Sequence, residues 1–233
     1  MLISAKSIGI CYRKKDRRIK ALDGVEISLC GGELTVITGR SGSGKTTLIN
    51  VLAGLLAPNE GQVYYDDTSI YNAGDKQLSS FRNKNIGYIP QGQSALANLT
   101  VMQNILLPAA LAKENKQEFA EHLLGAVGLE KLKNAYPEEL SGGELRRLAA
   151  ARALINSPSV IFADEPTNDL DDDNASMMLK LLKAQSKRGA AVIIVTHDST
   201  ALDFADRIFH MNDGRIITKE NEHENTLCRP LVS

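Results

Sequence analysis

Three short apolar runs predict the strands of a buried sheet. They are Leu34–Thr38, Val160–Ala163 and Ala191–Thr196. Each run is rich in β-branched residues and continuous rather than alternating, as expected for strands that are buried on both faces of a mostly parallel sheet. Polar residues follow each run at once, namely Gly39, Asp164 and His197. Because ligands of open α/β sheets gather outside the carboxyl ends of the strands, the three runs point to one shared site.

The remaining pattern predicts strands at the N-terminus and helices further along the chain. Leu2–Ile10 and Leu22–Leu29 are predicted strands on either side of a charged turn, Arg13–Arg18. Helical composition and spacing predict helices over four segments: Lys45 to about Ala53, Lys116–Val127, Glu144–Ile155 and Asp172–Lys187. The polar tail after Lys219 is expected to fray.

These elements predict a single domain over residues 1–233, of the α/β class. Its core, residues 1–91 and 157–233, is expected to hold a mostly parallel sheet and an N-terminal antiparallel β subdomain. Residues 92–156 contain few strand signals. They are interpreted as an α-helical subdomain inserted in that core.

Composition favours a folded globular protein and argues against a nucleic-acid binder or a membrane-spanning chain. Hydrophobic residues are 43% and charged residues 24% of the 233, which is typical of folded globular chains. The formal charge of -1 argues against a general nucleic-acid binder, which usually has a basic excess. Since every apolar run falls far short of the ~20 residues that a membrane helix needs, we expect a soluble chain that stays inside the cell.

A glycine-rich segment after the first apolar run matches the phosphate-loop pattern GxxxxGK[ST]. Its residues are Gly39, Arg40, Ser41, Gly42, Ser43, Gly44, Lys45 and Thr46. The segment follows a predicted strand and opens a predicted helix, so backbone N–H groups and the positive helix end can surround phosphate oxygens. Lys45 can contact the β- and γ-phosphates, and the Thr46 hydroxyl can ligate Mg²⁺. The loop therefore predicts nucleotide binding.

Acidic residues after the second run complete a hydrolytic site. Asp164 can bring a carboxylate to Mg²⁺, and Glu165 can act as general base for the attacking water. His197, after the third run, can hydrogen-bond the γ-phosphate. A solvated turn or a structural histidine would explain these residues one by one, but the phosphate loop favours the catalytic interpretation of the set.

A second glycine-rich turn, the signature turn, spans Leu140–Glu144 and reads LSGGE. Ser141 is a good helix N-cap, so an ordinary helix start is one interpretation. The same geometry binds anions. Two anion-binding helix starts about a hundred residues apart are unusual for a phosphate-loop enzyme with a single site.

The ordered set of motifs resembles the ATP-binding subunit of ATP-binding-cassette transporters over nearly the whole chain. The set comprises Tyr12, the loop from Gly39 to Thr47, Gln91, LSGGE, FADEPT at 162–167, Leu170-Asp171 and His197. The resemblance implies that Tyr12 stacks on adenine and that Gln91 senses the metal and the attacking water. It also implies that the signature turn, Ser141, Gly142, Gly143 and Glu144, holds the γ-phosphate of a second, facing subunit. Asp171 would sit across that interface, and His197 would clasp the γ-phosphate.

Two departures from the family pattern affect the interface. Glu144 stands where the family most often has Gln, and the interface loop reads Asn168-Asp169-Leu170-Asp171, of which the last two residues match well. Neither departure touches the catalytic residues. Short matches around 82–108 favour the macrolide-exporter, lipoprotein-release and cell-division branch, although similar matches recur in amino-acid importers.

The resemblance implies ATP and Mg²⁺ as cofactors, a homodimer around two ATP molecules, and an integral-membrane permease that holds the chain at the inner face of the membrane. Transport, of exporter or mechanotransmission type, is the first hypothesis. Regulation of cell division or of extracytoplasmic signalling through a permease-like partner is the second. Ribosome- or DNA-directed cassettes are disfavoured because they need two cassettes or long insertions. The apolar residues Leu96, Leu99, Val101, Ile105 and Leu106 are candidates for a groove that receives a permease helix, with core packing as an equal alternative.

Overall fold

The computed structural model describes residues 1–14 and 17–217, so the polar tail after Lys219 lies outside the described residues. The strands are β1 Leu2–Lys14, β2 Arg17–Cys30, β3 Leu34–Thr38, β4 Glu60–Tyr65, β5 Thr68–Ser69, β6 Ile86–Ile89, β7 Val160–Asp164, β8 Ala191–Thr196, β9 Arg207–Asn212 and β10 Arg215–Ile217. The α-helices are α1 Lys45–Leu52, α2 Asp75–Asn85, α3 Val101–Leu111, α4 Gln117–Ala126, α5 Gly142–Leu154 and α6 Asp172–Lys187. Within the described residues, no helix has both the length and the apolar character needed to cross a bilayer.

The central sheet has the strand order β10-β9-β3-β8-β7-β6. Five of these strands run parallel, and β10 pairs antiparallel with β9 at one edge. The three predicted apolar runs are the neighbouring strands β3, β8 and β7, and all residues of β7 and β8 are buried. The prediction of a mostly parallel sheet is confirmed.

The N-terminal residues form the predicted antiparallel sheet, in the order β2-β1-β4-β5. The charged turn is shorter than expected, because Tyr12 pairs with Ile19 and Arg13 with Arg18. The strands thus extend to Lys14 and Arg17, and the prediction that the turn begins at Arg13 is wrong. Ladder hydrogen bonds are made by the backbone, so exposed charged side chains do not interrupt them.

Alternate residues of the central strands enter two hydrophobic clusters, one on each face of the sheet. Phe162, Ile193 and Val195 pack toward the antiparallel sheet and α1. Ile161 and Ile194 pack toward α3, α4, α5 and α6. This three-layer arrangement leaves the carboxyl ends of the strands free at one edge. The α/β fold class, with its antiparallel N-terminal sheet and several helices, is confirmed.

Candidate functional site

The carboxyl ends of β3, β8, β7 and β6 lie side by side. Thr38 pairs with Thr196, Asp164 with Val195, and Ile89 with Ala163. The segments that follow these strands are the phosphate loop, His197, Glu165 and Gln91. The structure therefore brings together four predicted site segments that are up to 158 positions apart in the sequence.

The phosphate loop (residues 39–46) wraps around the N-terminus of α1. Gly44 is the N-cap residue and has a left-handed conformation, with φ +102°. A Cβ at Gly44 would clash with the carbonyl oxygen of Ala21, and one at Gly39 with that of Met211. Both glycines are thus needed for close backbone approach.

Two polar side chains are directed into this loop. Lys45 is only 7% exposed, and its Nζ donates to the carbonyl oxygens of Gly39, at 2.7 Å, and Arg40, at 3.2 Å. The buried Oγ of Ser43 finds no hydrogen-bond partner among the described residues. A buried ammonium and an unpaired hydroxyl beside a helix N-terminus suit an anion, because phosphate oxygens would satisfy both. Arg40, Ser41 and Gly42 form the exposed rim, and Thr47 continues the helix.

Asp164 and Thr46 form a corner at the end of β7. Asp164 is 2% exposed and is hydrogen-bonded to the Thr46 side chain. Burial raises the pKa of Asp164 above its ordinary value, while the hydrogen bond from Thr46 and the charges of Lys45 and Arg146 oppose this rise.

A carboxylate beside a hydroxyl fits Mg²⁺, which takes few protein ligands and completes its shell with phosphate oxygens and water. Within the described residues, no group of three or more acidic, His or Cys side chains could hold a metal ion without such help. The corner therefore suits a metal that arrives with a nucleotide.

Glu165 adopts an unusual backbone conformation for a residue with a side chain, with φ +47°. Its Oε2 accepts a 2.7 Å hydrogen bond from Thr196 Oγ1, and its Oε1 lies 2.9 Å from Nδ1 of His197. Glu165 is 8% exposed, whereas the His197 side chain is 67% exposed. The carboxylate is thus held by both oxygens, while the imidazole remains accessible to a bound ligand.

The signature turn begins α5 and makes its described side-chain hydrogen bonds within itself. The Glu144 Oε2 accepts from both N and Oγ of Ser141, each at 2.7 Å. Gly142 and Gly143 follow the cap, and space around Gly142 is open. The turn lies on a different element from the phosphate loop.

The remaining predicted residues occupy exposed positions. Tyr12 is 45% exposed on β1, and Gln91 is exposed after β6. Asp171 is the N-cap of α6 and accepts from the backbone N of Asn174. Asp169, one of the departures, has φ +62° in the loop before it. Each of these side chains is available to a ligand or to another chain.

Two residues of the site were not identified from the sequence. Thr196 holds Glu165, and its signal is a hydroxyl at the end of an otherwise apolar run. Arg146 is buried and donates to the carbonyl oxygen of Pro90, next to Gln91. No local pattern marks Arg146, because its acceptors are backbone atoms 54 and 56 positions away.

Known proteins resemble the chain along most of its length. The family model for ABC transporter matches residues 22–168. The lipoprotein-releasing system ATP-binding protein LolD of Syntrophotalea carbinolica is 41% identical, with 86% of this chain and 90% of the relative covered. The bacitracin export ATP-binding protein BceA of Halalkalibacterium halodurans is 38% identical, with 99% and 94% covered.

A solved structure is also similar to this chain over nearly its whole length. The ATP-binding cassette MJ0796, in a dimeric post-hydrolysis state bound to ADP and Pi, superimposes with a TM-score of 0.90 at 33% identity. The superposition covers 95% of this chain and 99% of that chain.

Proposed function

This chain belongs to the ABC transporter family as an ATP-binding, ATP-hydrolysing subunit, and on that premise we propose that it works as a homodimer that drives a separate membrane permease of the exporter or mechanotransmission type. The proposal rests on one observation: the same edge of the central sheet holds Lys45, Thr46, Asp164 and Glu165. These residues supply the phosphate contacts, the metal ligands and a base.

We propose the following roles at that edge. The loop amides and Lys45 bind the β- and γ-phosphates, Tyr12 stacks on adenine, and Thr46, Asp164 and Gln91 are the residues that would hold Mg²⁺. Bound Mg²⁺ would neutralise charge on the phosphate oxygens. Glu165 takes the proton of the attacking water, since Thr196 and His197 orient its two oxygens. The exposed imidazole of His197 contacts the γ-phosphate.

The dimer would supply what a single chain lacks. The signature turn, Ser141 to Glu144, would close on the γ-phosphate held by the facing subunit, so that two-fold symmetry creates two equivalent sites. Asp171 would lie at the same interface. Support comes from the exposed position of the turn and from the dimeric state of the MJ0796 cassette.

A groove of about 790 Å³ between α2 and the end of α3 is the proposed docking site for the permease. Its lining residues include Leu55, Tyr88, Pro108 and Leu111, with four cations, Lys76, Arg82, Lys84 and Lys113. An apolar floor with a basic rim suits a short amphipathic helix that carries acidic residues. Docking there would place the chain at the inner face of the membrane.

This groove differs from the one expected from the sequence. Val101 and Ile105 are fully buried, so for these two residues the alternative of core packing is correct. Leu96 is 43% exposed but does not line the groove described above. The helix α3 turns its N-terminal apolar residues inward, and its last two residues, Ala110 and Leu111, are exposed.

The branch, the domain division and the absence of a nucleic-acid partner stay proposals. The names of LolD and BceA, a lipoprotein-releasing and an export protein, support the exporter-type branch. The helical region, residues 92–156, contains α3, α4 and α5. Its buried residues share one cluster with Val36 and Ile161 of the central sheet, so this subdomain would pack on the core 1–91 and 157–233 without a separate core.

Two substitutions test the hydrolytic site. Glu165→Gln retains shape but loses the base, so we expect nucleotide affinity within about threefold of the parent and a fall in kcat of at least about 100-fold. Lys45→Ala should instead weaken nucleotide binding. Fluorescent-nucleotide titration and phosphate release measure the two effects. A normal turnover rate in Glu165→Gln would remove Glu165 from the role of base.

A further inference from the structure

Arg146 is a buried cation on α5, two residues after the signature turn. Its side chain is 6% exposed. One guanidinium nitrogen, Nη1, donates to the carbonyl oxygen of Pro90 at 3.0 Å and reaches that of Gly92 at 3.5 Å. These two carbonyls are on either side of Gln91. A buried guanidinium is costly unless its donors are used, so this contact has a physical reason to be retained.

The segment after β6, residues 90–100, is called the Gln91 loop below. Other side chains hold its later part. Arg152 donates to the backbone oxygen of Ser94 at 2.7 Å and to its Oγ at 2.6 Å. Asn104, which is fully buried, donates to the carbonyl oxygens of Leu96, Leu99 and Thr100. The later part of the loop is therefore anchored without Arg146.

Arg146 thus acts on a narrow part of the loop. Its acceptors immediately precede and follow Gln91, and Gly92 has φ +78°, which gives the chain a sharp turn there. Without the guanidinium, the carbonyls of residues 90 and 92 lose a shared donor while β6 and the later anchors remain. Loss of this donor would therefore leave the backbone at Gln91 less restrained.

We propose that Arg146 is a positioning residue for ATP hydrolysis, which fixes the backbone on both sides of Gln91 and so links the helix of the signature turn to the reacting centre. This inference rests on the proposed role of Gln91 in hydrolysis. A misplacement of about 1 Å costs roughly 100-fold in rate, so loss of this anchor should act on kcat. Nucleotide affinity depends mainly on the phosphate loop and should be preserved.

The test compares Arg146→Met with Arg152→Met, an arginine of the same helix that holds the same loop at Ser94. We expect Arg146→Met to lower kcat by about 10- to 100-fold, with the Kd for ATP within threefold of the parent. Arg152→Met should keep kcat within about threefold of the parent. Arg146→Lys keeps a cation on a shorter side chain, whose nitrogen falls short of the position of Nη1, and should recover part of the loss.

A double-mutant cycle identifies the residue through which Arg146 acts. Gln91→Ala together with Arg146→Met should lose no more kcat than the more severe single variant, because both remove the same placement. If the fold-decrease in kcat of the double variant equals the product of the two single decreases, the inference is overturned. It is also overturned by parent-level kcat in Arg146→Met, a parallel rise in Kd, or an equal loss in Arg152→Met.

Two outcomes distinguish this inference from the function on which it rests. If Gln91→Ala retains the parent rate, the proposed role of Gln91 fails. If Gln91→Ala is slow and Arg146→Met is not, only the role of Arg146 fails. Thermal melts accompany each variant, and if Arg146→Met does not fold, Arg146→Lys decides, since parent-level kcat in that variant overturns the inference.

Discussion

At the start of α5, the carboxylate of Glu144 is bound to the hydroxyl on which the proposed γ-phosphate contact depends. Its hydrogen bonds with the Ser141 backbone and side chain hold the pKa of Glu144 below its ordinary value, so the group is charged at neutral pH. A carboxylate next to a phosphate site repels the phosphate. In addition, the Ser141 hydroxyl must give up its hydrogen bond to Glu144 before it can donate to a phosphate oxygen. We therefore expect Glu144, the fifth residue of the signature turn, to influence the proposed ATP-driven association of two chains.

Replacing Glu144 by Gln should strengthen that association. The amide oxygen can still cap the helix, while the negative charge is removed. A charge at a helix N-terminus contributes about 0.3–1 kcal/mol, and the dimer contains two such sites, so we expect the ATP-dependent dimer to form roughly three- to thirtyfold more tightly, as measured by sedimentation in a Glu165→Gln background. Glu139→Gln is the control, because Glu139 accepts from the Tyr136 backbone N in a similar cap outside the turn. Equal effects of both variants would contradict the coupling.

Gly44 shows how backbone freedom and close packing act together in the phosphate loop. Gly44→Ala should destabilise the fold by more than Gly32→Ala and weaken nucleotide binding. Both glycines have positive φ, +102° and +86°, which costs about 1–2 kcal/mol for Ala. Only Gly44 adds a clash with a carbonyl oxygen, whereas the space at Gly32 is open. Urea unfolding and nucleotide titration check this, and equal losses of stability in the two variants would contradict it.

At the scale of single residues, the motifs identify the residues that are proposed to contact the nucleotide, but not the buried residues that hold them in place. Asp164 and Glu165 are recognisable because they stand at the end of an apolar strand, and Lys45 because it belongs to the phosphate-loop pattern after another strand. Arg146 is not, since its partners are carbonyl groups that any residue provides. Its function depends on a tertiary approach of α5 to the Gln91 loop, about which local sequence carries no information.

At the scale of elements, apolar periodicity predicts those helices and strands that face the core. The runs in β3, β7 and β8 are continuous because both faces are buried, and α6 has the predicted bounds of Asp172–Lys187. The helix α2 has no fully buried residue, and only Leu78 and Phe81 pack against the core, so its apolar pattern is weak. The helix α3 contains Pro108, which weakens its helical signal although packing maintains the helix.

The exposed end of α3 gives a prediction for the docking groove. Leu111 is 71% exposed and lines the groove, so Leu111→Asp should abolish stimulation of ATP hydrolysis by the permease while basal hydrolysis and stability stay near those of the parent. An aspartate there would reduce the positive charge of the rim and disrupt an apolar contact. Met177→Asp on α6, where Met177 is 44% exposed, is the matched control outside the groove. Reconstituted ATPase assays measure this, and retained stimulation in Leu111→Asp would place docking elsewhere.

At the scale of the whole molecule, the layered core explains how one chain can present two separate proposed anion sites. The central sheet carries the phosphate loop, Asp164 and Glu165 at its strand ends, and it is packed on both faces. The signature turn lies at the helix start of α5, in the layer on one face. The N-termini of α1 and α5 thus lie in different layers of the same fold, on opposite faces of the central sheet.

The last prediction follows from these two separate sites. Glu165→Gln should shift from monomer to dimer when ATP is added, because trapped phosphates attract the positive helix ends of both chains and hydrolysis no longer releases them. Ser141→Arg should block the shift, since a long side chain would fill the space that the γ-phosphate needs. Light scattering at several protein concentrations measures the mass, and Gly32→Ala in the Glu165→Gln background controls for a general loss of stability. A Glu165→Gln protein that stays monomeric at saturating ATP and high concentration would contradict the proposed two-fold dimer, because no hydrolysis then remains to separate the chains.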